Sequence, residues 1–329
     1  MNHCFEKTSV LNLPGGYKGG REKQEKVFGY EHVFPPTCEQ EDIYDAVAEN
    51  VLFTVQGYNT TIFTYGATGS GKSYTMTGIK GNVGITPRVV EDIFKIIGRI
   101  KTESVEVAFH VEMSYVELYN NGLRNLLKPA LDKINIHESI STGVFLSGPH
   151  LRIPVRSGGE ALKLVWIGNK FRTFAAMKAN DASSRSHSVL TVYVESKVAI
   201  AGKPRSELRL GKIHLVDLAG SERVAESKAV GSAMVETQNI NKSLLALGEV
   251  LHALGHMMSL NTRTMTSPTP ALGEMHVPYL NSKLTHLLKD SLGGNSKTIM
   301  LATVGSEVDE YHYTLHSLQY ALRATKVRN

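Results

Sequence analysis

The run Gly66-Ala67-Thr68-Gly69-Ser70-Gly71-Lys72-Ser73 constrains this chain more than any other part of it. It fits the pattern G-x-x-x-x-G-K-S/T at every fixed position. It follows the β-rich run 60–65 and precedes Tyr74-Thr75-Met76. Such a loop works between a strand and a helix, where its glycines let backbone N–H groups converge on phosphate oxygens. The following helix offers its positive end to the same anion. Lys72 is placed to reach the β- and γ-phosphates of a nucleotide, and Ser73 to offer a hydroxyl to Mg2+. The competing reading is a plain glycine turn with a solvated lysine, and the flanking strand and helix count against it.

Periodicity elsewhere describes an α/β chain. Ile43, Val47, Val51 and Val55 recur every fourth residue and predict one helix over 41–56. Thr86 and Pro87 read as the N-cap and first residue of a helix carrying Val89, Val90, Ile93, Ile96 and Ile97. Val105, Val107, Phe109, Val111 and Met113 alternate as in a strand, and 189–196 and 208–218 read as a strand pair. Ile240, Leu244, Leu247, Leu251 and Leu254 mark a long helix, 298–304 a buried strand, and Leu315, Leu318 and Leu322 a last helix. Two stretches read as loops: 14–26, rich in Gly and charge, and 259–276, a polar surface insertion. The mixture predicts a mixed central sheet with helices on both faces, in one domain over 1–329.

Composition narrows the class. With 329 residues, 42% hydrophobic and 20% charged, the chain reads as soluble and globular. Its two cysteines, Cys4 and Cys38, make no disulfide framework, so reduced thiols and a cytosolic setting are expected. No apolar run reaches membrane-spanning length, and the opening MNHCFEKTS lacks the organisation of a signal peptide. The net charge of +5 favours an acidic partner without naming one, and no nucleic-acid motif accompanies it.

A phosphate loop does not name a reaction. The apolar run 213–216 ends in Asp217, followed by Leu218-Ala219-Gly220. An acid there can hold Mg2+ through water, and the Gly220 amide can contact a γ-phosphate. Taken alone, an ordinary acid at a strand end explains the same residues. A GTPase is disfavoured by the absence of N-K-x-D.

Three further segments make the reading specific. Asn180-Asp181-Ala182-Ser183-Ser184-Arg185-Ser186-His187 resembles the kinesin switch I signature. Asp217-Leu218-Ala219-Gly220-Ser221-Glu222 is similar to kinesin switch II, and Asn239-Ile240-Asn241-Lys242-Ser243-Leu244 resembles the start of that family's main microtubule-binding helix. The resemblance runs from about 27 to 329. It implies a kinesin-type P-loop NTPase that couples ATP hydrolysis to movement on microtubules, in the cytoplasm on the cytoskeleton. It implies ATP and Mg2+ as ligands and tubulin as partner, with no nucleic acid and no membrane insertion. Residues 66 and 68–74 would hold the nucleotide, with Gly66, Thr68, Gly69, Ser70, Gly71, Lys72 and Ser73 on the phosphates and Tyr74 on the base. Ser73, Ser186 and Asp217 would serve the metal. Ser184 and Gly220 would close on the γ-phosphate, Arg185 and Glu222 would pair as a latch, and Asn241 would support the closed loop. Lys242, Lys283 and Lys289 would face the acidic track, although 223–289 holds only six Lys and Arg against four Asp and Glu.

The chain also departs from the family pattern. The R-x-R-P strand that walls the adenine pocket does not occur before the phosphate loop. Its loss from an interior position is expected to leave unpaired backbone and a gap. Leu280 stands where Arg is usual on the track face, Ala67 where Gln is common, and the sequence ends at Lys326-Val327-Arg328-Asn329 with no neck linker or heptad coiled coil to encode dimerisation. The alternative these departures raise is a non-motile tubulin-binding module with an impaired nucleotide site.

Overall fold

The apolar run before the phosphate loop becomes β3 (Asn59–Tyr65), buried at every residue after the first. The computed structural model that shows this describes residues 6–12, 25–103, 107–129, 133–140, 142–178, 185–199, 206–222, 232–264, 276–307, 310–327 and 329. Around β3 lies a seven-stranded sheet. Its other members are β6 (Val107–Tyr119), β7 (Gly122–Asn125), β10 (Ile153–Val155), β11 (His187–Ala199), β12 (Ser206–Asp217) and β13 (Ser296–Ala302). The order is β10-β6-β11-β12-β3-β13, with β7 beside β6. The sheet is mixed: β11 and β12 pair antiparallel, whereas β3 runs parallel to both β12 and β13. Parallel pairing in register puts Thr64 opposite Asp217 and Tyr65 opposite Ala302, so three strand ends deliver their loops to one edge. That edge is where open α/β sheets bind ligands.

Strand alternation divides the core in two. Ile62, Leu190, Val192, Ile213 and Leu215 face one side, with helices α1 (Gln40–Asp45), α2 (Glu49–Val55), α4 (Ile85–Glu103) and α5 (Gly158–Lys178). Phe63, Tyr65, Val189 and Val216 face the other, with α6 (Ser232–Thr264), α7 (Lys283–Leu287) and α8 (Tyr311–Ala324). Leu247 of α6 is fully buried; truncating such a side chain costs about 2–5 kcal/mol. The expected helices-on-both-faces architecture is therefore observed.

Several local expectations are corrected. The helix over 41–56 is two short helices, α1 and α2, because the chain turns between Ala46 and Ala48 while keeping Val47 and Val51 inward. The α4 helix starts at Ile85, so Thr86 and Pro87 lie within its first turn. Of the strand read from 105 to 113, residues 105–106 fall outside the described residues; β6 runs from Val107 on to Tyr119, because β11 pairs along nearly all of it. The 259–276 insertion begins with helix up to Thr264, and 265–275 fall outside the described residues. Of the 14–26 loop, Glu25 and Lys26 open β2 (Glu25–Val33), and 14–24 fall outside the described residues.

The strand read as buried over 298–304 is an edge. Among the described residues β13 pairs with β3 alone, and its Ile299, Met300 and Leu301 are only partly covered. A groove of about 1170 Å³ runs beside it, lined by β2, Asn50, β13 and α8. Asn50 is 1% exposed, yet neither atom of its carboxamide has a hydrogen-bond partner among the described residues.

Candidate nucleotide site

From Tyr65 the chain turns through residues 66–71 into α3 (Lys72–Met76). Gly69 and Gly71 take φ of +85° and +104°, which side chains strongly disfavour. Gly66 is needed for space instead, since a Cβ there would lie 2.3 Å from the Thr303 carbonyl oxygen. The Ser70 hydroxyl donates to the Ala67 carbonyl at 2.8 Å and lies 2.7 Å from the Thr303 hydroxyl. The Ser221 N–H donates to the Gly66 carbonyl at 3.0 Å. The loop is thus braced by the ends of both parallel neighbours of β3.

Lys72 is held inside that brace. Its Nζ donates to the carbonyls of Gly66 and Ala67 at 2.9 and 2.6 Å. Burial pulls the ammonium below its usual range, while Asp217 and Glu222 pull it back up. Because α3 has only five residues, its dipole adds little, and converging amides of the loop must supply most of the attraction for an anion.

A buried polar network continues from Ser73. Its hydroxyl donates to Asp217 Oδ2 at 2.7 Å. Arg172, 7% exposed, reaches across from α5 to the same oxygen, and its Nη2 donates to the Ser186 carbonyl at 3.1 Å. Burial opposes the Arg172 charge, but Asp217, Tyr115 and Glu117 together outweigh it and raise the guanidinium above its usual range. Arg172 therefore joins the segment before β11 to the end of β12. Sequence reasoning missed it, because an Arg within a helix, distant in sequence from every motif, carries no signal of its own.

Asp217 Oδ1 and the Ser186 hydroxyl are buried and have no hydrogen-bond partner among the described residues. Such atoms cost about 1–3 kcal/mol each unless a ligand satisfies them. Together with the Ser73 hydroxyl they form a set of hard oxygen donors that fits Mg2+. Asn241 Nδ2 is likewise buried and without a partner among the described residues.

Glu222 is engaged with the phosphate loop. Its Oε2 accepts from the Thr68 N–H at 2.9 Å, and its Oε1 accepts from the Thr68 hydroxyl. Gly220 lies directly beneath: a Cβ there would come within 2.3 Å of both Thr68 Oγ1 and Glu222 Oε2. The acid after β12 thus clasps the phosphate loop. Ser184 lies outside the described residues. Tyr74 stands half-exposed at the start of α3, its hydroxyl accepting from Asn82 Nδ2 at 3.0 Å.

The three lysines expected on the track face separate. Lys242 and Lys283 are exposed and, with Arg185, Asn281 and Ser282, line a cavity of about 60 Å³ between the start of β11, α6 and α7. Lys289 instead pairs with Glu138 of β8 (Asn135–Ser139) and lies 5.7 Å from the centre of the Tyr279 ring. Leu280 is 71% exposed beside that cavity's Asn281.

The sequence matches the model of the kinesin motor domain family over residues 10–327. The chain belongs to the kinesin motor family. It is 38% identical over 99% of its length to the kinesin-like protein Klp68D of Drosophila melanogaster, and 40% identical over 95% to the kinesin-like protein KIF13B of Homo sapiens. It spans 39% and 17% of the length of those two relatives. Among solved structures it resembles a fast kinesin, with a TM-score of 0.81 at 36% identity, covering 93% of this chain and 81% of that one. It also resembles a KIF14 dimer in its two-heads-bound state with AMP-PNP, in complex with a microtubule, with a TM-score of 0.81 at 33% identity, covering 98% of this chain and 86% of that one. Kinesin motor membership accounts for the mixed sheet, the phosphate loop and the two switch segments together. The family is one of microtubule-associated, nucleotide-using motors.

Proposed function

We propose that this chain binds ATP in the cradle of residues 66–73, hydrolyses it, and couples the cycle to microtubule binding and movement. The observation that carries the reading is the Ser73–Asp217–Arg172–Ser186 network. It joins the phosphate loop, the end of β12 and the segment before β11 through buried polar contacts. A γ-phosphate entering the cradle competes for Lys72 and for the Thr68 amide that Glu222 now occupies. Releasing Glu222 frees it to pair with Arg185, which is the latch the family resemblance implies. Lys72 and the loop amides hold the phosphates, Ser184 and Gly220 orient the attacking water, Asn241 supports the closed loop, and Glu222 takes up the water's proton through a second water. Catalysis of this type is mainly positioning and charge stabilisation. Ser73, Ser186 and Asp217 would hold Mg2+, which when bound neutralises phosphate charge. Tyr74 would lie against the base.

Lys242 and Lys283, with Lys289 less available, would supply attraction to the acidic tubulin surface. The working location is then the microtubule cytoskeleton of the cytoplasm. The test is steady-state ATP turnover with and without microtubules, where stimulation of at least about ten-fold is expected, roughly 1.4 kcal/mol. The open groove beside β13 favours a second reading, a tubulin-binding module with an impaired nucleotide site. Microtubule co-sedimentation without stimulated turnover would select it.

A further inference from the structure

His187 connects two elements that the nucleotide site must keep in step, and no role assigned above uses it. The ring is 2% exposed at the first position of β11. Its Nδ1 accepts the Ala219 N–H at 3.0 Å, and its Nε2 lies 2.7 Å from the Ser243 hydroxyl of α6. A backbone N–H can only donate, so Nδ1 is the unprotonated nitrogen and Nε2 carries the hydrogen. Nε2–H therefore donates to Ser243 Oγ, whose own hydrogen goes to the Ile240 carbonyl at 2.6 Å. Every donor and acceptor in the line has one consistent direction.

The position of this line matters. Ala219 is fully buried and adjoins Gly220, the residue beneath the Thr68–Glu222 clasp. A backbone shift of the 218–222 turn that opens the clasp acts next to the Ala219 amide. The other end lies on α6, one residue after Lys242.

We propose that His187 is a positioning residue that carries the state of the turn at 218–222 to helix α6 through the Ser243 hydroxyl. The inference rests on the function proposed above and deepens it by naming a coupling element between nucleotide and track. Asn at 187 approximates the Nδ1 acceptor alone, and Gln approximates the Nε2 donor alone. Each keeps half of the line. Ser243→Ala breaks the other end, and Ser243→Thr restores a hydroxyl.

The measurement is microtubule affinity with ADP and with a non-hydrolysable ATP analogue, read as the ratio of the two, alongside hydrogen exchange of the 240–250 amides in both states. Ser243→Ala is expected to reduce the wild-type ratio at least about five-fold and to erase the nucleotide dependence of exchange, while Ser243→Thr retains both. His187→Gln and His187→Asn lose the ratio to the same extent, and combining either with Ser243→Ala adds little, since the residues act as one unit. A purely structural role would lower the melting temperature and both affinities together and leave the ratio intact; that result overturns the proposal. A wild type with no difference between nucleotides overturns the function itself, a separate outcome visible before any variant is made. Imidazole 15N shifts placing the proton on Nδ1 would overturn the direction of the line and the proposal with it.

Discussion

The two sides of β3 differ in how completely they are built. Toward β12, Lys72, Ser73, Asp217, Arg172 and His187 are all engaged in bonds to strand ends and loops. Toward β13, the same strand has a neighbour that is itself an edge, beside a groove of about 1170 Å³ holding the unsatisfied Asn50 carboxamide. The difference teaches where the chemistry is robust. The residues read as the phosphate cradle lie on the closed side, and the groove lies on the other.

The strongest way to break this contrast is Lys72→Ala. Removing the Lys72 cation from the cradle should lower ATP turnover by roughly 100-fold or more, the scale seen when a key electrostatic donor is removed. Turnover at the wild-type rate would show that the closed side is not the phosphate site.

The open side is sharpened by adding to it. An apolar, alternating strand fused upstream through a short linker can pair with the edge of β13, which among the described residues has β3 as its one neighbour. Burying three or four apolar side chains there is worth on the order of 5 kcal/mol before ordering costs. A rise in melting temperature of several degrees is expected, together with better selection of ATP over GTP. Equal melting and equal selectivity in both forms would mean another segment already fills the groove.

Acid tests the closed side again. His187 and His214 are both pushed down to about 3, chiefly by burial, with the neighbouring charges of Arg172 and Lys212 adding to it. The unfolded chain takes up these protons near the ordinary value of about 6.5. Between about pH 6.5 and about pH 3 the unfolded state binds more protons, so stability is fully present above that window and falls as pH falls through it. Each ring contributes up to about 1.4 kcal/mol per pH unit. His214→Asn, which can keep the hydrogen bond to Thr191, should flatten the dependence of the denaturant midpoint on pH by one ring's share. An unchanged slope would place the acid sensitivity elsewhere.

The smallest effects belong to the surface. Lys242→Ala and Lys283→Ala should each weaken microtubule binding only a few-fold, about 0.2–1 kcal/mol, and less at high salt. Lys289→Ala should do less, because its charge is already shared with Glu138. A larger loss at Lys289 than at Lys242 would mean that the Glu138 pair opens on the track.

The sequence by itself determined the phosphate loop, its strand, the β11–β12 hairpin, α6 and α8, and the family. Each is announced by residues close together in the chain: glycines and a lysine at fixed spacing, or apolar side chains at the period of one element. The sheet class was legible for the same reason, since alternating strands and helices leave few ways to bury both faces. Tertiary structure alone decided what those segments touch. The clasp of Glu222 on Thr68, the reach of Arg172 to Asp217, the line from Ala219 through His187 to Ser243, and the diversion of Lys289 to Glu138 all join residues far apart in sequence. The split of 41–56 into two helices was hidden too, because an apolar period reports which face of an element turns inward and not where the chain turns within it.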